Sequence, residues 1–456
     1  SKALGLRSEA SQRFERGVDT ILNHNALNRA IYLLEEIGAG KAVHGVAECY
    51  PVPEKPVEIK AAPTKLAARI GCDIDAATMK AILENLDFTV EEKGEDSWVV
   101  TVPTWRKDCD CSADLSEEVA RMYGYDKIES KTPELIMARG GQAPIEDVKD
   151  MIRDTLTGIG LDEVMTYSFY NAQVFDNLGL PADDSRRKAL QIINPISDDF
   201  RTIRTTLTPC LLSTVAYNQA RQSERTAIFE VGRVFIPKTL PLTDFPEEKM
   251  VLAIAMSGKR NPLSWNTAKD AIDFYDIKGA LEEVMDSLQV KGLSYGPTKE
   301  VFLHPGKSCA ISYEGKVIGF MGAIHPTVQD RFGLSAETYV LEVEIAPFVK
   351  SAEQIPQFEH VPQFPSVSRD IAVVVKAGVS ASDLEAEIRK EGGALLVDVR
   401  IFDVYTGKQV KSGYKSVAFN LTFQDVSRTL QDKDVDDVIK QIVANVQDKF
   451  GGMLRD

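Results

Sequence analysis

The sequence has few of the residues that build zinc centres. Its 456 residues include six cysteines and five histidines. No two cysteines form a CxxC pair, and the histidines do not cluster beside them, so a zinc site is disfavoured. Cysteines scattered in this way fit a reducing cytoplasm. We read Cys109 and Cys111 as small buried residues that alternate along a strand.

Long apolar runs are also missing, so we expect no membrane span. No run approaches the roughly 18–20 apolar residues that are needed to cross a bilayer. The first residues, SKALGLRSEASQRFERG, lack a starting Met and are neither a secretory signal nor a transit peptide. They lead directly into helix-like sequence, and we therefore expect a fragment of a larger protein.

An excess of positive charge is the third absence. The net charge is −15, which argues against a non-specific polyanion binder. The charge is uneven, because residues 363–456 hold 13 Lys/Arg and 14 Asp/Glu, which leaves −14 for the rest. A nearly neutral C-terminal module permits nucleic-acid contact without demonstrating it.

The first half of the chain reads as helices followed by a small mixed module. Residues 8–37 have helical periodicity, and the proline-rich YPVPEKP at 50–56 marks a boundary. Asp75 is a plausible N-cap for the next helix, and FTVEEKGEDSWVVTVP predicts two strands around a turn. Helices with a two-stranded wing predict a winged-helix-like module over residues 55–130.

Residues 145–350 predict an α+β domain on a mixed, largely antiparallel sheet. A helix over IEDVKDMIRDTLTGIG precedes the strand-like EVMTYSF, and further strands alternate with helices up to TYVLEVEIA. After a proline-containing linker, residues 362–456 read as βαββαβ, the ferredoxin-like arrangement. Alternation in VAFNLTF at 417–423 predicts a strand with one buried face.

The stretch WRKDCDCSADLSEEVARMYGYD at 105–126 is dense in carboxylates and has two readings. In the first, Asp114 caps a helix, Glu117 stands at capping-box spacing and pairs with Arg121 one turn later. In the second, the carboxylates gather around a cation such as Mg²⁺, because close negative charges repel one another unless neutralised by a cation or an arginine.

Several segments together resemble the bacterial phenylalanyl-tRNA synthetase beta subunit. They occur in the expected order along the whole chain: SEASQRFERGVD, WRKDCDCSADLSEEVARMYGYDKI, NPISDDFRTIRTTLTPCLLSTVAYN, AIFEVGRVF, FPSVSRDIAVVV and RTLQDKDVDDV. The resemblance implies a multidomain α+β chain. Its parts are an editing-domain remnant at 1–54, the winged-helix-like module, a class II synthetase-like but catalytically inactive domain at 145–350, and a ferredoxin-fold anticodon-binding domain at 362–456.

The resemblance also implies partners and cofactors. The family's enzyme contains two alpha and two beta subunits and attaches phenylalanine to its tRNA with ATP. Catalysis and ATP binding occur on the alpha subunit, so no catalytic residue is expected in this chain. Arg201 and Arg204, near where a second class II motif would fall, are expected to form surface or interface salt bridges. The implied partners are the alpha subunit and tRNA-Phe, with neither DNA nor membrane.

Three sets of site residues follow from the resemblance. Magnesium shared with the alpha subunit is expected on four carboxylates, with Asp110 left solvated: Asp108, Asp114, Glu117 and Glu118. An editing-pocket remnant is expected at Ser8, which could offer a hydroxyl, and Ala10. Contacts with tRNA are expected from exposed basic and aromatic groups, namely Arg369, Lys415, Arg428, Phe364 and Tyr405.

Two other functions stay open from the residues. The chain could be a free-standing RNA-binding or regulatory protein that reuses these modules. It could also be an independent enzyme that uses the carboxylates with Mg²⁺ for phosphoryl chemistry.

Overall fold

The structure is a computed structural model, and it describes residues 1–132, 136, 140–262, 264–352, 355, 358, 360–407 and 410–454. The chain divides into two compact units, Ser1–Arg139 and Gly140–Asp456. Among the described residues, no helix combines the length and the apolar character that a membrane crossing needs.

The first unit contains a small antiparallel sheet with helices before and after its strands. The strands pair in the order β1-β3-β2. The elements are α1 (Glu9–Arg16), α2 (Leu22–Glu36), β1 (Glu58–Ala61), α3 (Pro63–Ile70), α4 (Ala76–Asn85), β2 (Thr89–Gly94), β3 (Ser97–Thr101) and α5 (Ser112–Tyr123).

Local sequence explains how this sheet and its helices meet. Asp75 is the N-cap of α4, as predicted, and its carboxylate accepts the Thr78 N–H at 2.8 Å. Leu83 of α4, Val100 of β3 and Leu115 of α5 are fully buried in one core. That core fixes α5 against the sheet, and α5 carries three of the six carboxylates of the 105–126 stretch.

The second unit begins with a seven-stranded sheet. The strand order is β4-β7-β8-β12-β11-β10-β9, in which β4 and β7 are parallel and the other pairs antiparallel. The elements are α6 (Pro144–Gly158), β4 (Asp162–Glu163), β5 (Phe169–Tyr170), α7 (Gln173–Asn177), β6 (Thr202–Ile203), α8 (Thr208–Gln219), β7 (Arg225–Ile236), β8 (Glu247–Gly258), α9 (Phe274–Ser287), β9 (Ser294–Gly296), β10 (Leu303–Tyr313), β11 (Lys316–Ile324), α10 (Pro326–Phe332), β12 (Thr338–Glu344) and α11 (Val349–Ala352).

Both faces of this sheet are covered by packed side chains. Successive residues of a strand point to opposite faces. Phe229 of β7 therefore packs in the core that contains α6 and α9, whereas its neighbour Ile228 packs in the core that contains α7, α8 and α10. The sheet is the middle layer of a three-layer α+β arrangement.

The chain ends in a four-stranded sheet with two helices, in the predicted order βαββαβ. The strands pair as β14-β15-β13-β16, all antiparallel. Val417, Phe419, Leu421 and Phe423 are all fully buried, as the predicted alternation requires, but Ser416 and Ala418 on the other face are buried as well. The elements are β13 (Val367–Lys376), α12 (Ala381–Gly392), β14 (Leu396–Tyr405), β15 (Tyr414–Phe423), α13 (Asp432–Phe450) and β16 (Met453–Leu454).

The strand predicted over EVMTYSF is mostly wrong. Only Glu163, at its first position, lies in β4 and only Phe169, at its last, lies in β5, and the residues between them are not in a strand. Backbone hydrogen bonds are present at the two ends of this segment, where the Val164 N–H donates to the Phe229 carbonyl and the Ser168 carbonyl accepts the Arg204 N–H. Between them, the Thr166 hydroxyl donates to Glu230 at 2.6 Å.

Candidate functional site: the carboxylates of the Trp105–Asp126 stretch and the end of the C-terminal domain

Helix α5 begins three residues earlier than the carboxylate spacing suggested. Its first residue is Ser112 and its N-cap is Cys111, so Asp114 is the third helical residue and the predicted N-cap is wrong. The Asp114 carboxylate reaches back and accepts the N–H groups of Asp110 and Cys111, both at 2.9 Å. These two donors lower the pKa of Asp114 below its usual value.

Arg106 bridges two of the four predicted metal ligands. Its Nε and Nη2 donate to the two oxygens of Asp108 at 2.9 and 2.7 Å, a two-pronged pair. Its Nη2 also donates to Glu118 Oε1 at 2.8 Å. The guanidinium holds the pKa of Asp108 at about 2 and lowers the pKa of Glu118.

The fourth side chain of this network is Arg121. Its Nη2 donates to Glu118 Oε2 at 2.6 Å, so both oxygens of Glu118 are bound by guanidinium groups. The predicted pair between Glu117 and Arg121 is therefore wrong, because Arg121 lies three residues from the buried Glu118 and binds it instead. Glu117 is exposed on the same helix, while Glu118 is only 6% exposed.

The four predicted ligands do not fit a magnesium site in this arrangement. Among the described residues, the one group whose donor atoms lie within 4.8 Å of one another is Asp110, Cys111 and Asp114. That group contains a single predicted ligand, Asp114, together with a thiol, whereas Mg²⁺ prefers oxygen donors in near-ideal octahedral geometry. Neighbouring carboxylates repel one another unless a cation or an arginine neutralises them. Here Asp108 and Glu118 are neutralised by arginine.

The two neighbouring cysteines differ in environment. Cys109 is buried in the core of the first unit, and burial raises the pKa of its thiol to about 11. Cys111 is exposed at the helix start. The predicted strand through them is wrong, since β3 ends at Thr101 and both residues follow in a loop.

The predicted editing-pocket residues lie at the start of α1. Ser8 is the N-cap, and its hydroxyl accepts the Ser11 N–H at 3.1 Å while the Ser11 hydroxyl accepts the Ser8 N–H at 2.8 Å. Ala10 lies in the first turn and is exposed. The Ser8 hydroxyl thus has a capping role in this structure.

The predicted tRNA-binding residues lie at two ends of the C-terminal four-stranded sheet. Arg369 donates to Asp432 at the start of α13, and Arg428 donates to Asp434, both at 2.7 Å. The carbonyl of Phe364 accepts from Gln424, the residue after β15. These three residues therefore lie together at one end of the sheet.

The other two candidates lie at the opposite end. Lys415 is opposite Val375, which is six residues along β13 from Arg369. At about 3.3 Å per residue, the two ends are about 20 Å apart. Tyr405 pairs with Ser416 beside Lys415. The structure does not bring all five predicted residues into one patch.

Two ionisable side chains in the second unit, Arg204 and Glu342, are buried, and no sequence pattern indicated this burial. Arg204 was expected in a surface or interface salt bridge, but it is 4% exposed and donates to Glu230, also 4% exposed, at 2.7 Å. Glu342 is buried and accepts from Thr206, Leu207 and Thr208 at the start of α8. By contrast, Arg201 pairs with Asp198 at the surface, as expected.

Comparison with known families matches most of the chain to three domain models. Residues 59–125 match the tRNA synthetase B5 domain, and residues 128–345 match the phenylalanyl tRNA synthetase beta chain CLM domain. Residues 362–455 match the ferredoxin-fold anticodon binding domain. The matches follow one another along the chain without overlap.

Curated relatives match over the whole chain. It is 35% identical to the phenylalanine–tRNA ligase beta subunit of Clostridium acetobutylicum and 37% identical to that of Moorella thermoacetica, each over 456 residues. Identity with the Vibrio cholerae beta subunit is 38% over 462 residues. Each alignment covers 100% of this chain and 56% of the relative, so the chain spans a little over half the length of these relatives.

A solved structure of pyrrolysyl-tRNA synthetase from Desulfitobacterium hafniense matches 45% of this chain and 68% of that chain. The identity is 12% and the TM-score is 0.36. The family rests on the three domain models and on the curated relatives. By those matches, the chain belongs to the phenylalanyl-tRNA synthetase beta chain family.

Proposed function

We propose that this chain is a non-catalytic part of a phenylalanine–tRNA ligase, which attaches phenylalanine to its tRNA using ATP. The observation that carries the proposal is the consecutive match to B5, beta chain CLM and anticodon-binding models over residues 59–455. In the proposal the chain supports assembly with an alpha subunit and contacts tRNA in the cytoplasm.

The packing of the seven-stranded sheet supports a non-catalytic role for residues 145–350, which we propose are a class II synthetase-like domain. A synthetase active site must hold ATP phosphates against positioned cationic groups. Both faces of this sheet carry packed apolar cores among the described residues. Arg204, the buried arginine nearest to a proposed second motif, is already bound to Glu230. We therefore assign ATP and phenylalanine to the alpha subunit.

We propose that tRNA contacts the C-terminal domain at the end that contains Arg369, Arg428 and Phe364. Both arginines are held by exposed or half-exposed carboxylates, and exposed ion pairs are typically worth 0–1 kcal/mol. A phosphate can therefore replace the carboxylates at small cost. Lys415 and Tyr405, about 20 Å away, would belong to a separate contact.

The face of the same sheet opposite its helices is a poorer RNA surface. Asn420 and the residues beside it in the neighbouring strands, Asp370 and Arg400, lie on this face. Asn420 donates to Asp370 at 2.6 Å, and Asp398 and Asp403 lie on the same face by register. Carboxylates repel phosphates, which disfavours RNA around Asn420. A ring that could stack on a base, Tyr405, lies on this face only towards its far end, opposite Ser416.

Magnesium shared with an alpha subunit stays a prediction of the family resemblance. The winged-helix-like character of residues 55–130 and the editing remnant at 1–54 have the same status. No step of the proposed function depends on them.

A charging assay tests the proposal. The purified chain is incubated with phenylalanine, ATP and tRNA-Phe, and formation of Phe-tRNA is measured beside a reaction that contains only the cognate alpha chain. We expect no Phe-tRNA from this chain alone. Product formed without any alpha chain would contradict a non-catalytic role and would favour an independent enzyme.

A further inference from the structure

We infer that Arg106 is the built-in counter-ion of Asp108 and Glu118, so that this chain by itself neutralises both carboxylates without a divalent cation. The inference concerns the chain alone and does not depend on the proposed function. It starts from the disagreement between the predicted magnesium ligands and the groups that bind them in the structure.

The guanidinium of Arg106 binds Asp108 through two N–H groups at once. Two parallel N–H bonds to Asp108, at 2.9 and 2.7 Å, use the planar fork that matches a carboxylate. The second hydrogen of Nη2 is available for Glu118 Oε1 at 2.8 Å. One arginine thus connects a carboxylate of the loop with a buried carboxylate of α5.

Glu118 and its partner Arg106 are both largely shielded from water. Glu118 is 6% exposed, and the side chain of Arg106 is 20% exposed. A buried carboxylate is strongly destabilising unless it is paired. The other partner, Arg121, is 47% exposed and therefore screened by water. Arg106 is consequently the partner that neutralises the buried end of Glu118.

The loop that contains Arg106 is fixed on both sides. Thr104 donates to the buried Asp19 at 2.7 Å, and Lys107 donates to Glu54 at 2.6 Å. The guanidinium also lies 5.8 Å from the centre of the Phe88 ring. These contacts place Arg106 at the carboxylates before any ligand arrives, which reduces the entropy cost of the pair.

A divalent cation would compete with the arginines for the oxygens of Asp108 and Glu118. A magnesium ion takes ligand oxygens at about 2.0–2.1 Å in an octahedron. All four oxygens of Asp108 and Glu118 already accept guanidinium N–H groups. A cation placed there would also be repelled by Arg106 and Arg121. Binding of a cation at Asp108 and binding of Arg106 therefore exclude each other.

The primary test measures Mn²⁺, a probe for divalent sites, on the wild-type chain and on Asp108→Asn. Binding is followed by water-proton relaxation. Because the Asp108 side chain is 66% exposed, the variant is expected to fold. We expect the two proteins to bind Mn²⁺ equally, since Asp108 is not a ligand in the chain alone. Binding that is lost in Asp108→Asn would overturn the inference.

A second measurement uses urea unfolding of Arg106→Gln and of the matched control Arg121→Gln, each in EDTA and in millimolar Mg²⁺. We expect Arg106→Gln to lower the folding equilibrium constant on the order of 100-fold, and Arg121→Gln to lower it less than about 5-fold. The wild-type midpoint should be the same in both buffers. A wild-type midpoint that rises with Mg²⁺, or an Arg106→Gln variant as stable as the control, would overturn the inference.

Discussion

At the residue scale, charged side chains pair across long stretches of sequence and differ in how much water reaches them. Arg106 joins Glu118 twelve residues away, and Arg204 joins Glu230 across 26 residues. The first pair lies beside an exposed carboxylate, whereas the second is buried on both sides. The two pairs should therefore respond differently to pH and to substitution.

The pair between Arg106 and Asp108 predicts a specific acid sensitivity. The pKa of Asp108 falls from 3.8 to about 2 in the folded chain. A depressed carboxylate pKa stabilises the fold above the unfolded pKa, and that contribution is lost as the pH falls from about 4 to about 2. In urea unfolding, Asp108→Asn should lose stability relative to wild type at pH 5 and close the gap near pH 2. A gap that stays constant over this range would show that Asp108 is not held by Arg106.

The buried pair predicts a large cost for removing one partner. Arg204→Met leaves Glu230 without its charged partner in a site that is 4% exposed, and such losses typically cost about 3–5 kcal/mol. The control is Arg201→Met, because Arg201 pairs with Asp198 at the surface and should change the free energy of unfolding by less than about 1 kcal/mol. Equal effects of the two substitutions in urea unfolding would contradict this account.

At the element scale, helix starts are fixed by carboxylates that accept free backbone N–H groups. Asp75 does so for α4 from the adjacent position. Glu342 does so for α8 from a distant strand, accepting the N–H groups of Leu207 and Thr208 at 3.0 and 2.9 Å. The first N–H groups of a helix have no partner within it, and the helix dipole favours a negative charge there.

Replacing the carboxylate at position 342 should weaken the start of α8. Burial raises the pKa of Glu342 above its usual value, whereas the hydrogen bonds from Thr206 and Thr208 lower it. Glu342→Gln keeps the size of the side chain but puts an NH₂ group in place of one carboxylate oxygen, and the weaker acceptance at the helix start should cost about 1–3 kcal/mol. Glu344→Gln is the matched control, because Glu344 lies two residues along the same strand, is half-buried and binds Lys249. Hydrogen exchange at the Thr208 amide should rise in Glu342→Gln and not in the control. Unchanged exchange in both would contradict the capping role.

Sequence patterns predicted elements whose causes are local. Asp75 stands next to the helix that it caps, and the 417–423 alternation reports a strand. The N-cap of α5 was predicted wrongly because two pairs of residues have the same spacing of three. Asp114 and Glu117 were taken as the N-cap and its partner, whereas Cys111 is the N-cap and Asp114 is its partner. The pair between Arg106 and Glu118 was not predicted, because the conformation of the loop that contains Arg106 brings the two side chains together and no sequence periodicity indicates that conformation.

At the scale of the whole molecule, the predicted tRNA-binding residues divide into two groups about 20 Å apart along one sheet. Arg369 and Arg428 lie near the start of α13, while Lys415 lies at the far end of β15. Sequence alone could not separate them, because residue type, basic or aromatic, carries no information on position along the sheet. The strand register separates the two groups, because it places Lys415 six residues along the sheet from the partner of Arg369.

We expect the α13 end to dominate binding of an RNA hairpin that carries the tRNA-Phe anticodon. Arg369→Ala and Arg428→Ala should each weaken binding and reduce the slope of log affinity against log salt by about 1, as expected when one phosphate contact is lost. Lys415→Ala is the control and should change the slope less. A larger effect at Lys415 would place the RNA at the other end of the sheet.

Under the proposed function, the chain is the beta part of a ligase whose chemistry resides on another subunit. The most direct test is association with the alpha subunit of phenylalanine–tRNA ligase, measured by size-exclusion chromatography with light scattering on the two purified proteins. We expect a single species that contains both chains. Elution of this chain unchanged, with the alpha subunit in a separate peak, would contradict the proposed function and would favour a free-standing RNA-binding protein.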